Sequence, residues 1–190
     1  MSKVATRAEA RARLRALSAE ARAQAGAEIA ERVWSLPEIS GARAILLYAS
    51  VPEEVPTDAI AHEALRRGIT VTYPRCLPET RLMTLHVLKE LGELRDAGSY
   101  GIREPDLACP RLELRDIDVI LVPGRAWDRR GGRLGRGAGY YDRLFADPDC
   151  RAFRCGLFFA AQEFEELPLD RWDVPLQAVV TEKEVMSYEL

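Results

Sequence analysis

The spacing of apolar positions changes character several times along the chain. Over residues 4–35 the apolar positions are sparse, with Leu14, Leu17, Ile29, Val33 and Leu36 forming a thin stripe. Ala, Arg, Glu and Gln fill the rest, and all favour helix. This predicts a long helix, with Ser18 ahead of Glu20 and Ala21 as the place where a second helix begins after a break. Pro37 and Gly41 end the region. Residues 44–48 (Ala-Ile-Leu-Leu-Tyr) then read as a buried strand. Residues 57–67 return to helical spacing, with Ile60, Ala64 and Leu65 inward and Gly68 as the stop. Residues 69–73 are β-rich and are closed by Pro74. Strand, helix and strand in about 30 residues make a βαβ unit.

Further strands are predicted over 82–88, whose register stays open, and over 118–122, which Pro123-Gly124 terminates. Residues 140–145 look helical, and 152–159 and 178–181 return to strand character. The alternation predicts a single-domain, three-layer α/β/α sandwich with a mainly parallel sheet over residues 1–190. There is no internal repeat and no low-complexity linker, and the length suits one domain with a real core.

Charge narrows the range of partners. The net charge is −3 and the sequence pI about 5.6, which disfavours non-specific nucleic-acid binding. The first 35 residues are nevertheless basic, and residues 125–143 are rich in Arg. A basic site on a mildly acidic protein suits a small anionic ligand. The Arg-rich N-terminal region has no interleaved aromatics for base stacking, so RNA is a poor fit. Cys76, Cys109, Cys150 and Cys155 contain no C-x-x-C pair, and His62 and His86 are the only histidines, so zinc-ligand spacing is missing. Reduced structural thiols are expected. No run is long and apolar enough to cross a membrane. Glu9, Glu20, Glu28 and Glu31 argue against an organellar leader, and a cytoplasmic location is expected.

The chemistry concentrates after the 118–122 strand, in Val122-Pro-Gly-Arg-Ala-Trp-Asp-Arg-Arg-Gly-Gly-Arg-Leu-Gly-Arg-Gly-Ala-Gly-Tyr-Tyr-Asp142. The carboxyl end of a strand is where ligands bind in open α/β sheets. A glycine-rich loop lets backbone N–H groups form an anion-binding concavity, and a helix start adds favourable partial charge. Arg133 and Arg136 can fork onto phosphate oxygens, and Asp142 can hold a hard metal ion. The loop lacks the Gly-Lys-Ser/Thr ending of a Walker A motif and the spacing of a dinucleotide fingerprint.

The string Arg133-Leu-Gly-Arg-Gly-Ala-Gly-Tyr-Tyr-Asp142, with Pro123-Gly124 and Trp127-Asp128 before it, closely resembles the signature of the 5-formyltetrahydrofolate cyclo-ligase (methenyltetrahydrofolate synthetase) family. Lys3 and Arg7, Glu54-Val-Pro-Thr57, Gly101-Ile-Arg-Glu-Pro105 and the closing Trp172-Asp173-Val-Pro-Leu-Gln-Ala-Val-Val180 match other family elements in order. The chain departs from the pattern at Thr6, where Leu is usual, at Trp127, where Phe is usual, and at Ala138, where Gly or Lys is common.

The resemblance implies a fold like that of the sugar-phosphate isomerases and CoA-transferases. It also implies ATP-dependent closure of 5-formyltetrahydrofolate to 5,10-methenyltetrahydrofolate, with release of ADP and phosphate. Carried over residue by residue, it assigns ATP to Lys3, Arg7, Arg133, Leu134, Gly135, Arg136, Gly137, Ala138, Gly139, Tyr140 and Tyr141. It assigns the folate to Glu54, Ala49, Arg136 and Tyr140, and magnesium to Asp142 and Asp173. Arg136 and Arg133 would carry the transferring phosphoryl group. Glu53, His62 and His86 are expected to be bystanders, and Arg103 and Glu104 receive no role. The expected partners are ATP and the folate, with no nucleic acid and no membrane, and the expected assembly is a monomer or weak homodimer. An ATP-independent isomerase or transferase on the same fold and a binding module without catalysis are the competing readings.

Overall fold

The structure is a computed structural model that describes residues 1–96 and 101–189. Its helices are α1 (Lys3–Arg15), α2 (Ala19–Arg32), α3 (Pro37–Ser40), α4 (Asp58–Arg66) and α5 (Tyr140–Ala146). Its strands are β1 (Ala44–Leu46), β2 (Thr70–Leu77), β3 (Leu82–Leu88), β4 (Leu94–Arg95), β5 (Glu104–Pro105), β6 (Arg111–Leu112), β7 (Val119–Val122), β8 (Ala126–Asp128), β9 (Arg133–Leu134), β10 (Phe153–Leu157), β11 (Glu163–Phe164), β12 (Ala178–Val180) and β13 (Val185–Ser187).

The main sheet has the order β13-β12-β10-β7-β1-β2-β3-β6. The five central strands from β12 to β2 are parallel, and antiparallel strands close both edges. Strands β11, β8 and β9 form a small second sheet, and β4 pairs with β5. The expected parallel core and the βαβ unit β1-α4-β2 are both present.

Period-two alternation divides the sheet between two cores. Ile45, Leu47, Val71, Val119 and Leu121 face the core made with α2, α3 and α4. Leu46, Ile120, Val122 and Val179 face the other core, made with Trp127, Leu144, Phe145 and Phe158. The second layer is therefore thinner than a row of helices: α5 is its helix, and irregular chain carrying β8 and β9 supplies the rest.

One boundary is as expected from the sequence and one differs. The helical stretch over 4–35 breaks after Arg15, and the second helix begins at Ser18 as expected. Ser18 caps α2 by accepting the Ala21 N–H at 3.1 Å, and the chain tightens into a 3₁₀ turn at Val33–Ser35. The break frees α1 to pack against β8 while α2 packs against α4. Pro74 does not close the second strand, because β2 continues to Leu77. Thr70 N–H and Thr72 C=O face β1, so by alternation the Pro74 nitrogen points to the same side, past Thr72, the last residue of β2 paired with β1. A proline costs no ladder bond there. The strand over 82–88 has the predicted bounds, and its register is now fixed as antiparallel to β2.

Gly156, in the middle of β10, is required by packing. A Cβ there would lie 2.5 Å from both Leu176 Cδ1 and Phe158 Cε2. Gly156→Ala is expected to destabilise the fold by about 1–3 kcal/mol through overpacking. A urea unfolding midpoint unchanged from wild type would refute this.

Candidate active site

The chain reverses its direction of winding between β1 and β7. From β1 it crosses to β2 on one side, and from β7 it crosses to β10 on the other. Such a switch point leaves a crevice at the carboxyl ends of the strands. A cleft of about 1210 Å³ opens there, between the segment after β1, the loop after β7, the N-terminal part of α1 and the end of β2.

The loop after β7 is shaped by a few strict requirements. Gly124 passes so close to Phe158 that a Cβ would sit 2.7 Å from the ring. Asp128, buried between β8 and the turn, accepts the N–H groups of Arg130 and Gly132 at 3.0 Å on one oxygen and that of Leu167 at 3.1 Å on the other. Gly131 completes this turn at φ +81°. The chain returns along β9, where the Leu134 side chain enters a small apolar cluster with Ala10, Ala126, Phe164 and Leu167. Gly137 and Gly139 then take φ values of +110° and +73°, which β-carbons disfavour. Among the described residues nothing accepts the amide hydrogens of Gly135, Arg136, Gly137, Ala138 or Gly139. The loop therefore lines the cleft with its N–H groups unspent and with α5 starting behind it.

The N-terminal cations are held in place rather than frayed. The Arg7 Nε donates to the Gly135 carbonyl at 2.8 Å, which joins α1 to the loop. Lys3 Nζ lies 2.5 Å from Asp173 Oδ2 and 2.7 Å from Asp170 Oδ2. Burial works against the Lys3 charge, but these two carboxylates outweigh it and raise its pKa. Thr6, the departure from the usual Leu, is buried, and its hydroxyl donates to the Ser2 carbonyl at 2.9 Å.

Arg133 lies beneath the loop with its side chain 3% exposed, its guanidinium against the neighbouring rings of Tyr141 and Phe145. It donates to Asp142 Oδ1 at 2.7 Å, an oxygen that also takes the Val174 N–H at 3.3 Å. Its Nε is buried without a hydrogen-bond partner among the described residues, and burial lowers its pKa. Tyr141 is packed beside it, and burial drives its phenol pKa up, with the Glu54 charge adding to the rise. Asp173 accepts from the Asp170 N–H at 2.7 Å on the oxygen that meets Lys3. Asp142 and Asp173 are brought together, since the residue after Asp173 bonds to Asp142.

Glu54 stands on the opposite lip, buried and accepting the Val51 N–H at 3.1 Å, with Arg136 Nε 3.8 Å away. Burial raises its pKa, against the opposing pull of the Val51 N–H and Arg136. Ala49 and Tyr140 line the same cleft. Glu53 points away and pairs with buried Arg125, with Arg11 and Arg15 beyond it. It is thus a structural neighbour, as expected. His62 is exposed. His86 is a satisfied buried histidine, bonded to the Cys109 carbonyl at 2.9 Å and to the Thr84 hydroxyl at 3.0 Å. Every site residue predicted from sequence lines this one cleft. Sequence reasoning left out Asp128, Asp170 and Arg125. Asp128 has a visible signal: an Asp two residues before one loop residue and four before Gly132 suits a side-chain-closed turn.

A model of the 5-formyltetrahydrofolate cyclo-ligase family matches residues 1–182. The chain belongs to the 5-formyltetrahydrofolate cyclo-ligase family. It is 33% identical over 159 residues to the Haemophilus influenzae 5-formyltetrahydrofolate cyclo-ligase, covering 80% of this chain and 83% of that one. It is 30% identical over 184 residues to the Escherichia coli enzyme of that name, covering 94% and 99%. Among solved structures, the Aquifex aeolicus 5,10-methenyltetrahydrofolate synthetase superposes with a TM-score of 0.85 at 33% identity, covering 98% of this chain and 93% of that one. A Mycoplasma pneumoniae synthetase at 22% identity shares the fold, with a TM-score of 0.76.

In this family member the turn closed by Asp128 sets the path of the Gly/Arg loop. Asp128→Ala would leave two buried N–H groups, of Gly132 and Leu167, and the part-buried one of Arg130 without their acceptor. It is expected to cost about 1–3 kcal/mol of stability, with Asp128→Asn losing less. Equal urea midpoints for Asp128→Ala and wild type would remove Asp128 from this role.

Proposed function

We propose that the chain closes the ring of 5-formyltetrahydrofolate to give 5,10-methenyltetrahydrofolate, using ATP and releasing ADP and phosphate. The observation that carries this reading is the glycine loop at the switch point, with its amide hydrogens directed to no acceptor among the described residues and Lys3, Arg7 and Arg136 around it. Such a constellation suits a polyphosphate. The loop from Arg133 to Tyr141 would cradle the triphosphate, with Lys3 and Arg7 neutralising it from α1. Leu134 contributes its backbone, because its side chain is committed to the apolar cluster.

Asp142 and Asp173 fit a magnesium ion. Each has one carboxylate oxygen, Asp142 Oδ2 and Asp173 Oδ1, without a protein partner among the described residues. No group of three or more acidic, His or Cys side chains gathers for a metal among the described residues. This suits an ion that keeps waters and shares phosphate oxygens. When bound there, the ion would neutralise charge on the phosphates. Arg133 would orient Asp142 through their 2.7 Å contact.

The folate would enter beside Glu54, whose carboxylate can accept two N–H donors of a pterin edge. The N5-formyl oxygen attacks the γ-phosphorus, an O–P bond forms, and ADP leaves with the bridging oxygen. Arg136, 3.8 Å from Glu54 and part of the loop, would reach both ligands and stabilise the transferring group. The N10 lone pair then attacks the activated formyl carbon, the C–O bond breaks, phosphate departs, and the N10 proton passes to solvent. Positioning and charge neutralisation carry the chemistry.

The first test supplies ATP, magnesium and 5-formyltetrahydrofolate and follows the methenyl chromophore together with ADP. The absence of both would overturn the reading. Arg136→Ala is expected to lower kcat/KM by about 100-fold, as for loss of one transition-state donor, with the melting temperature unchanged. Full activity would exclude Arg136 from the site. Glu54 gives a pH test. Because its pKa is raised, lowering pH protonates the carboxylate at a higher pH than for an exposed Glu, and the KM for the folate should rise there. Glu54→Gln should show a high KM that no longer varies over that range. A KM profile like that of wild type would refute the assignment.

A further inference from the structure

The wall of the cleft facing the Gly/Arg loop has a shape and charge order that the site residues above do not explain. Strand β2 pairs with β1 only as far as Thr72, but its pairing with β3 runs on to Leu77 opposite Leu82. Residues 73–77 of β2 therefore overhang the central sheet as a two-stranded ribbon, about 13 Å long at ~3.3 Å per residue. Pro74 and Cys76 share one face of β2 by alternation, and Met83 lies directly opposite Cys76 on β3. These three residues, together with Ile102, give the cleft an apolar wall.

Arg81 stands at the outer end of this wall, at the tip of the ribbon. It is the one non-glycine residue with a left-handed φ, +57°, among the described residues, and its N–H donates to the Leu77 carbonyl at 2.8 Å to close the tip. The Arg81 side chain lines the cleft. Nearby arginines are occupied: Arg103, which lines the cleft, lies 3.1 Å from Asp58, and Arg75, on the opposite face of β2, lies 3.6 Å from buried Glu104. Arg81 pairs with no carboxylate among the described residues, Glu79 of the same turn included.

The cleft thus presents a buried carboxylate at Glu54 in the segment after β1, the apolar wall of the overhanging ribbon, and an unpaired guanidinium at the ribbon tip. A reduced folate has the complementary order: a ring rich in N–H donors, a flat p-aminobenzoyl group and a glutamate with two carboxylates. Resting on the functional reading above, we propose that the overhanging β2–β3 ribbon binds the p-aminobenzoyl-glutamate half of the substrate, with Arg81 holding the glutamate carboxylates. The ribbon then sets specificity for the tail while the loop handles phosphate.

The test is calorimetric binding, which needs no turnover. The ligands are 5-formyltetrahydrofolate and the same compound without its glutamate, 5-formyltetrahydropteroate. Wild type is expected to bind the complete folate more tightly, on the order of tenfold, as for one charge-assisted contact. Arg81→Asn, which removes the charge but tolerates the left-handed backbone, should bind both ligands equally. Arg81→Lys should restore part of the difference. The proposal is overturned if wild type does not discriminate between the ligands or binds neither. It is also overturned if Arg81→Asn weakens both equally, which would mark Arg81 as structural. The turnover assay on wild type judges the functional reading separately: binding with tail discrimination but no methenyl product would sink that reading and leave the tail site standing.

Discussion

The site depends on fixing a loop by its edges while leaving its middle unbonded. A segment meant to bind an anion through its amide hydrogens cannot spend them on itself, so the energy that orders it must come from elsewhere. Here it comes from Asp128 at one end, which gathers three N–H groups, and from α5 at the other. Between them the Arg7 side chain holds the Gly135 carbonyl rather than its N–H. Binding the acceptor side of the peptide leaves the donor side open. The glycines at 137 and 139 serve the same end, since their positive φ values turn successive amides without a β-carbon to strain against.

The charges around the Gly/Arg loop are already partnered, unlike that of Arg81 at the ribbon tip, and this bears on how ligands enter. Lys3 rests on Asp170 and Asp173, Arg133 on Asp142, and Arg136 near Glu54. These pairs are not equivalent. The Lys3 pair is partly solvated, so exchanging a carboxylate for a phosphate costs little. Arg133 is buried against aromatic rings, and removing Asp142, its one carboxylate partner among the described residues, would leave a charge stranded in an apolar setting. Arg133 is therefore better suited to hold Asp142 in one orientation than to swing toward a ligand, whereas Lys3 and Arg136 are free to respond. The sequence, which shows both arginines in one string, does not separate these two behaviours.

Much of the fold was legible because burial on both faces of a parallel sheet leaves continuous apolar runs such as Val119–Val122, and because the helix over 57–67 has clear periodicity. Residues of the site were legible where chemistry restricts the residue type, as in the glycines, arginines and Asp142 of the loop. The break after Arg15 lies in a stretch of uniform helix formers, yet the Ser18 cap marked it. Two features were not legible. The continuation of β2 through Pro74 depends on where a neighbouring strand stops, which no local pattern records. The pairing of Lys3 with Asp173 joins positions 170 residues apart. Proximity of this kind becomes visible only once the sheet order is known.

The proline that looked like a strand end also explains the asymmetry of the cleft. Had β2 stopped there, the carboxyl ends of β1 and β2 would finish at about the same level, and the loop after β7 would face open solvent. Because Pro74 places its nitrogen on the side that β1 has already left, the strand can run on with β3 as its sole partner. A ribbon beyond the sheet has no second neighbour to stiffen it. Buried Glu104 supplies one, accepting the Cys76 N–H at 3.0 Å and meeting Arg75, so that the short pair β4-β5 braces the ribbon along the edge that β1 has left. Glu104, which had no role in the sequence reading, is in this sense what lets a strand overhang become a wall.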